Sequence, residues 1–216
     1  LALSGAVAHH DSAGNSGEIG PGDVQWMTAG SGVLHKEYHS EEFAESGGIF
    51  QMLQLWVNLP KVHKMHPPRY QGLKGADMPK VRITDDSALT LVAGSFEGKN
   101  GPAKTFSPLS FFVLDLAAGD SFEATYPSTW NTAYLITKGT LQVNEAQRAE
   151  AEDLCLFENA DGSIHVQALE NAQVVILSGE QIDEPVAHYG PFVMNTVEEL
   201  QEAVADFQSG KFGSLE

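Results

Sequence analysis

One cysteine, Cys155, is all the thiol chemistry this 216-residue chain holds, so an intrachain disulfide is excluded. Its setting, Asp153-Leu-Cys-Leu-Phe157, reads as a strand with a buried thiol rather than a nucleophile. Basic residues are scarce as well: 12 Lys and Arg stand against 29 Asp and Glu, a formal net charge of −17. Such a surface repels phosphate backbones, and with no basic run the sequence argues against direct nucleic-acid binding. No apolar run approaches the roughly 20 residues needed to cross a bilayer, and no signal-peptide pattern is present. These absences together predict a soluble, cytoplasmic protein without a membrane partner. Position 1 lacks a methionine, and Leu1, Leu3, Val7 and His9 alternate with Ala2, Ser4, Ala6 and Ala8 as in a strand already under way. The expectation is therefore an N-terminally incomplete chain.

What is present suits an all-β protein. Hydrophobic residues make up 42% of the chain, enough for one large β domain or two small ones. The organising stretch is Gly20 to His39. A Pro-Gly-Asp turn feeds an apolar strand, Val24 to Ala29, and Gly30-Ser31-Gly32 separates this from a second strand, Val33 to His39, in a hairpin-like pattern. Alternation along a strand places His35 and Glu37 on one face, with Cα atoms roughly 6.6 Å apart, close enough for both side chains to reach one ion. The same pair also fits a plain hydrogen bond on a solvated strand. His39 shares that face, but a flat strand holds it roughly 13 Å from His35, so further donors must come from another strand. His9, on the Val7 side of the first strand, is one conceivable extra ligand, beside the simpler reading of a hydrogen-bonded strand-end histidine.

Residues 1 to 10 read as one strand, Asp11 to Gly17 as a turn-rich loop, Ser40 to Gly48 as a polar loop, and Ile49 to Leu59 as a long apolar strand. His63 and His66 lie in proline-rich, irregular chain and read as surface residues. Residues 73–79 read as a linker between an N-terminal barrel, 1–72, and a C-terminal barrel with a terminal helix, 80–216. Strands are expected at Val81 to Thr84, Leu89 to Phe96, Ser110 to Leu116, Thr132 to Val143, Leu154 to Phe157, Ile164 to Leu169 and Gln173 to Ser178. Thr132 to Val143 parallels Leu1 to His9, which suggests an internal duplication. Near the end, Thr196-x-x-Glu199 is a capping box opening a helix with Val197, Leu200, Val204 and Phe207 on one stripe and Gly210 as its stop.

Several of these stretches together resemble the pirin family: Asp11-Ser-Ala-Gly-Asn15, Gly20-Pro-Gly-Asp-Val-Gln-Trp-Met-Thr-Ala-Gly30, His35-Lys-Glu37, Gln54-Leu-Trp-Val-Asn-Leu59, Pro68-Arg-Tyr-Gln71, and His188-Tyr-Gly-Pro-Phe-Val-Met-Asn-Thr196 with Glu198 and Glu199. The resemblance implies a bicupin, two cupin-type β-barrels with a C-terminal α-helix, and one site of iron type in the N-terminal barrel. It places His35 and Glu37 as metal ligands, at the positions of the family's third histidine and its glutamate. The family's other two histidines belong to a segment that precedes Leu1 and are absent from this text. In the second barrel, Glu123-Ala-Thr-Tyr-Pro-Ser-Thr-Trp-Asn131 carries no histidine where a metal-bearing cupin has a pair, and His165 stands alone, so no metal is expected there.

The resemblance implies two functions of different kinds. One is a quercetin 2,3-dioxygenase-like enzyme, in which a flavonol meets a divalent metal, most readily iron, with Glu37 as both ligand and proton acceptor and Trp26, Met27, Phe50, Met52 and Trp56 as apolar pocket material. Each of those five also reads as ordinary core. The other is an iron- or redox-sensing module that binds a protein partner, like the family's transcriptional co-regulators, without catalysis.

Overall fold

Runs of β-branched and aromatic residues at Leu109–Leu116, Trp130–Lys138 and Ala172–Glu180 make the longest strands of the chain, as their β propensity dictates. In a computed structural model describing residues 1–215, they are the middle of a six-stranded antiparallel sheet. Leu154–Phe157 lies at one edge of this sheet; Ala88–Ala93 and then Lys80–Arg82 complete the other. A four-stranded sheet of Ser121–Thr125, Ser163–Ala168, Thr140–Val143 and Gln147–Glu150 supplies a second layer. Leu89, Leu91, Leu114, Ile136, Leu141 and Val174 are fully buried in one core that draws on both sheets. Burying each such side chain stabilises by about 1.5–3 kcal/mol. Within that core the Tyr126 and Tyr134 hydroxyls lie 3.0 Å apart, and burial lifts the Tyr126 phenol to about 12.

These strands form one compact unit, Met78–Gln181; the other comprises Leu1–Asp77 and Ile182–Glu216. The architecture is all-β, as expected of a bicupin, with a terminal helix at Val197–Gln208. One boundary differs from the sequence expectation: the helix assigned to the second barrel belongs to the unit of residues 1–77. The Asp77/Met78 division falls inside the expected linker, but Leu73 ends a strand there and Gly75–Asp77 forms a 3₁₀ turn.

The first unit is built of short strands: β1 (Ala2–Ser4), β2 (Val7–Asp11), β3 (Ser16–Ile19), β4 (Val24–Thr28), β5 (His35–His39), β6 (Gln51–Met52) and β7 (Arg69–Leu73). The expected first strand is split at Gly5, φ +78°, just as Gly139, φ +79°, separates Trp130–Lys138 from Thr140–Val143. Positive φ costs glycine nothing, so both breaks fall at the parallel point of the suggested repeat.

Three expectations here give way. β4 and β5 are not a hairpin: β4 pairs with β7, and β5 pairs with β2. Gly30 and Gly32, both at positive φ, turn the chain away, and the Ser31 N–H donates to the His66 carbonyl at 2.8 Å. The polar loop after Ser40 contains a six-residue helix, α1 (Glu41–Ser46), whose N-terminus the Ser40 hydroxyl caps. The long strand from Ile49 reduces to β6, continued only by the reciprocal backbone bonds of Leu53 with Leu1; residues 54–59 lie in no strand and leave Trp56 63% exposed.

Candidate functional site

The candidate site lies on the sheet β3-β2-β5. Along β2, Val7, His9 and Asp11 are buried while Ala8 and His10 are half-buried, so one face of this strand looks inward. The antiparallel register sets Val7 opposite His39, His9 opposite Glu37 and Asp11 opposite His35. Directly opposed residues share a face of a sheet. His35, Glu37 and His39 therefore stand on the same side of the sheet as His9 and Asp11, with His35 and His39 exposed and Glu37 half-buried.

His35 Nδ1 lies 3.9 Å from Glu37 Oε1, with side chains 35% and 25% exposed. Two donors on one first-row divalent ion, each about 2.1 Å from it, are at most about 4.2 Å apart, so this pair fits a shared ion. The residues around it divide sharply. Asp11 is committed elsewhere: its carboxylate accepts from Ala13 N, Asn15 N and Asn15 Nδ2 at 2.8–3.1 Å. Burial alone would raise its carboxyl, but the Asn15 and Ala13 hydrogen bonds outweigh that and hold it below the usual range.

His9 is the opposite case. Its ring is 1% exposed and stacks on Tyr70 with centroids 4.4 Å apart. Nδ1 faces the Tyr70 hydroxyl at 3.5 Å, whereas Nε2 is buried with no hydrogen-bond partner. Burial pushes this imidazole down, toward its neutral form, against the opposing pull of a Gly17 backbone hydrogen bond. An orphaned buried nitrogen on the face of Glu37 is a feature that a bound ion, or a molecule on that ion, would satisfy. Among the described residues no three His, Cys, Asp or Glu side chains converge to hold a metal. The donor set among the described residues is therefore a pair, with the remaining positions of an ion open.

Beyond Glu37 along the same face the wall becomes aromatic. The His39 ring lies 5.4 Å from Phe43 of α1 and 4.9 Å from Phe50. Gly5 comes so close that an added Cβ would sit 2.9 Å from the Phe50 ring and 3.0 Å from Phe43.

Of the five residues expected as pocket material, Phe50 joins this wall and Met52 packs on the small core of Ala2, Val7 and Ile19. Trp26 and Met27 are half-buried on β4. Trp56 is exposed beside His188, ring centroids 6.3 Å apart, and closes no pocket. His66 Nδ1 lies 2.6 Å from the Pro67 carbonyl. Tyr70 and Phe43 are contributors that sequence reasoning missed. Tyr70 is 61 residues from His9, and only the pairing of β4 with β7 brings that strand in; Phe43 would have required recognising Ser40 as a helix cap.

The chain matches two family models, "Pirin" over residues 1–57 and "Pirin C-terminal cupin domain" over residues 111–213. A Pseudomonas aeruginosa protein named "Putative quercetin 2,3-dioxygenase" is 46% identical over 98% of this chain and 74% of its own length. Human pirin is 34% identical over 99% of this chain and 73% of its own. The crystal structure of a quercetin 2,3-dioxygenase from Acinetobacter baumannii superposes with a TM-score of 0.96 at 42% identity, over the whole of this chain and 75% of that one.

Proposed function

The chain belongs to the pirin family, and we propose that it is a metal-dependent dioxygenase of the quercetin 2,3-dioxygenase type, acting on a flavonol. The observation that carries this reading is the 3.9 Å His35–Glu37 pair, partly exposed on the sheet face that buried His9 shares, in a chain 46% identical to a relative of that name. His35 and Glu37 would hold the ion, which is most readily iron, since imidazole and carboxylate with open positions suit a divalent ion of that class. When bound, the ion supplies Lewis acidity toward the substrate's hydroxyl and a path for electrons to dioxygen.

The rest is the work of side chains. Glu37, with one oxygen turned to His35, keeps its second oxygen to accept the proton of a flavonol hydroxyl, which only a base within hydrogen-bond reach can do. His9, clamped between Tyr70 and the sheet, offers Nε2 as a further hydrogen-bonding group on the same side. His39, Phe43 and Phe50 present rings against which a planar aromatic substrate stacks, in the offset or edge contacts that such rings favour.

A second reading, an iron-sensing module that binds a protein, has one observation in its favour. Trp56, Val57, Val62 and Met65, all within residues 56–65, are each at least half exposed, and apolar exposure concentrated in one segment suits an interaction surface.

Oxygen uptake with quercetin by iron-loaded protein separates the two. Turnover by the wild type that is abolished by His35→Ala supports the enzyme. Absence of turnover in both, or equal turnover in both, overturns it.

A further inference from the structure

The strand that carries His35 and Glu37 is entered through the Gly30–Leu34 loop, and that loop is held by the far end of the chain. A Cβ added at Gly32, φ +119°, would run into the Phe212 ring. Phe212 is in turn fixed in a three-ring cluster, 6.4 Å from Phe192 and 6.2 Å from Phe207 by centroids. A second tie passes through Ser12. Its N–H donates to the Leu34 carbonyl at 2.8 Å, and its hydroxyl oxygen accepts from Leu34 N at 3.0 Å while donating to the Phe212 carbonyl. Gly213 lies against the same serine: a Cβ there would be 3.1 Å from Ser12 Cβ. On its other side the loop is fixed to the His66 carbonyl by Ser31 N.

We propose that the Lys211–Gly213 tail is a latch on the Gly30–Leu34 loop, with Phe212 and Ser12 as positioning residues that hold β5, and with it His35 and Glu37, in its register on β2. Neither residue touches the pair. Leu34, the residue before His35, is bonded through both backbone groups to Ser12, and Ser12 follows Asp11, the partner of His35 across the sheet. The tail thus acts on the only end of β5 not continued into α1, which starts two residues after His39. Stiffening that end matters because a two-donor site depends on the aim of each donor; partners behind metal ligands typically contribute about 10–100-fold in metal affinity.

This inference rests on the metal reading of the pair, and its test keeps the two apart. Amide hydrogen exchange is measured for residues 34–38, with the amides of Leu109–Leu116 as internal reference, in the wild type, Phe212→Ala, Phe212→Leu and Ser12→Ala. Mn(II) affinity and melting temperature are measured on the same four proteins. Phe212→Ala removes no hydrogen bond of Leu34, so faster exchange there reports the loop itself. The latch predicts exchange at 35–37 accelerated on the order of tenfold in Phe212→Ala and Ser12→Ala. It also predicts unchanged reference amides, partial rescue in Phe212→Leu, and Mn(II) binding weakened about tenfold with little change in melting temperature. Unchanged exchange at 35–37, or acceleration spread equally over the reference strand, overturns the latch. Failure of the wild type to bind Mn(II) overturns the metal reading, and exchange alone then decides the latch.

Discussion

His9 and Glu37 are direct partners across the antiparallel pair β2–β5, and the buried Nε2 of His9 has no hydrogen-bond partner. Two residues along each strand the pattern differs: Asp11, opposite His35, spends its carboxylate on the Asn15 turn. Among the described residues the sheet thus offers His9 Nε2 as an uncommitted group on the face of the His35–Glu37 pair, and packing on Tyr70 fixes its orientation.

That packing can be tested at Gly17, which faces His9 on β3. A Cβ there would lie 3.1 Å from the Tyr70 hydroxyl oxygen and 3.3 Å from His9 Cε1. Gly17→Ala is expected to push the two rings out of their stack at a cost of about 1–3 kcal/mol, the usual penalty for overpacking. Chemical denaturation measures this, and the His9 ring resonances should shift more than those of any other histidine.

Asp23 gives the first unit a definite acid response. Its carboxylate meets Lys74 Nζ at 2.7 Å, Gly75 N at 2.8 Å and Gly20 N at 3.1 Å. Burial opposes ionisation, but the Lys74, Gly75 and Gly20 bonds prevail and depress its pKa. A depressed folded-state pKa means that the unfolded chain binds the proton more readily, so stability falls as pH drops. The contribution is complete above the ordinary carboxylate value near 3.9 and is lost as pH falls through the lower, folded value. In Asp23→Asn the melting temperature should therefore be lower at neutral pH and should decline less on acidification.

The terminal helix is capped as its sequence dictates. Glu199 N donates to Thr196 Oγ1 at 3.2 Å, and the Glu199 carboxylate accepts from Thr196 N at 3.1 Å and Asn195 N at 2.9 Å. Thr196→Ala should cost about 1 kcal/mol, read as a lowered denaturation midpoint. Through Phe207, which shares the ring cluster of Phe212, helix fraying should also speed exchange in the Gly30–Leu34 loop.

What could be read from the sequence follows how local each signal is. The capping box and the strands expected within residues 78–181 depend on neighbours a few positions apart, and they stand within a few residues of where periodicity puts them, Leu154–Phe157 to the residue; Ser121–Thr125 and Gln147–Glu150 are further strands outside those expectations. The shared face of His35 and Glu37 is equally local, being a two-residue alternation. Pairing partners are not local. The glycine break after Ala29 looks like a hairpin, yet the loop is tied to His66 and Phe212, which lie 36 and 182 residues after Gly30 by numbering, and no periodicity encodes those contacts. The terminal helix groups with residues 1–77 rather than with the second barrel for the same reason: its apolar stripe implies docking but names no partner.

The central claim is that His35 and Glu37 share one divalent ion, and paramagnetic relaxation by Mn(II) tests it most directly. With the imidazole resonances of all eight histidines followed during a substoichiometric Mn(II) titration, the account predicts that His35 broadens first and His9 and His39 next. Glu37→Gln should weaken the effect. Uniform broadening of all eight, or loss of another histidine before His35, would contradict it.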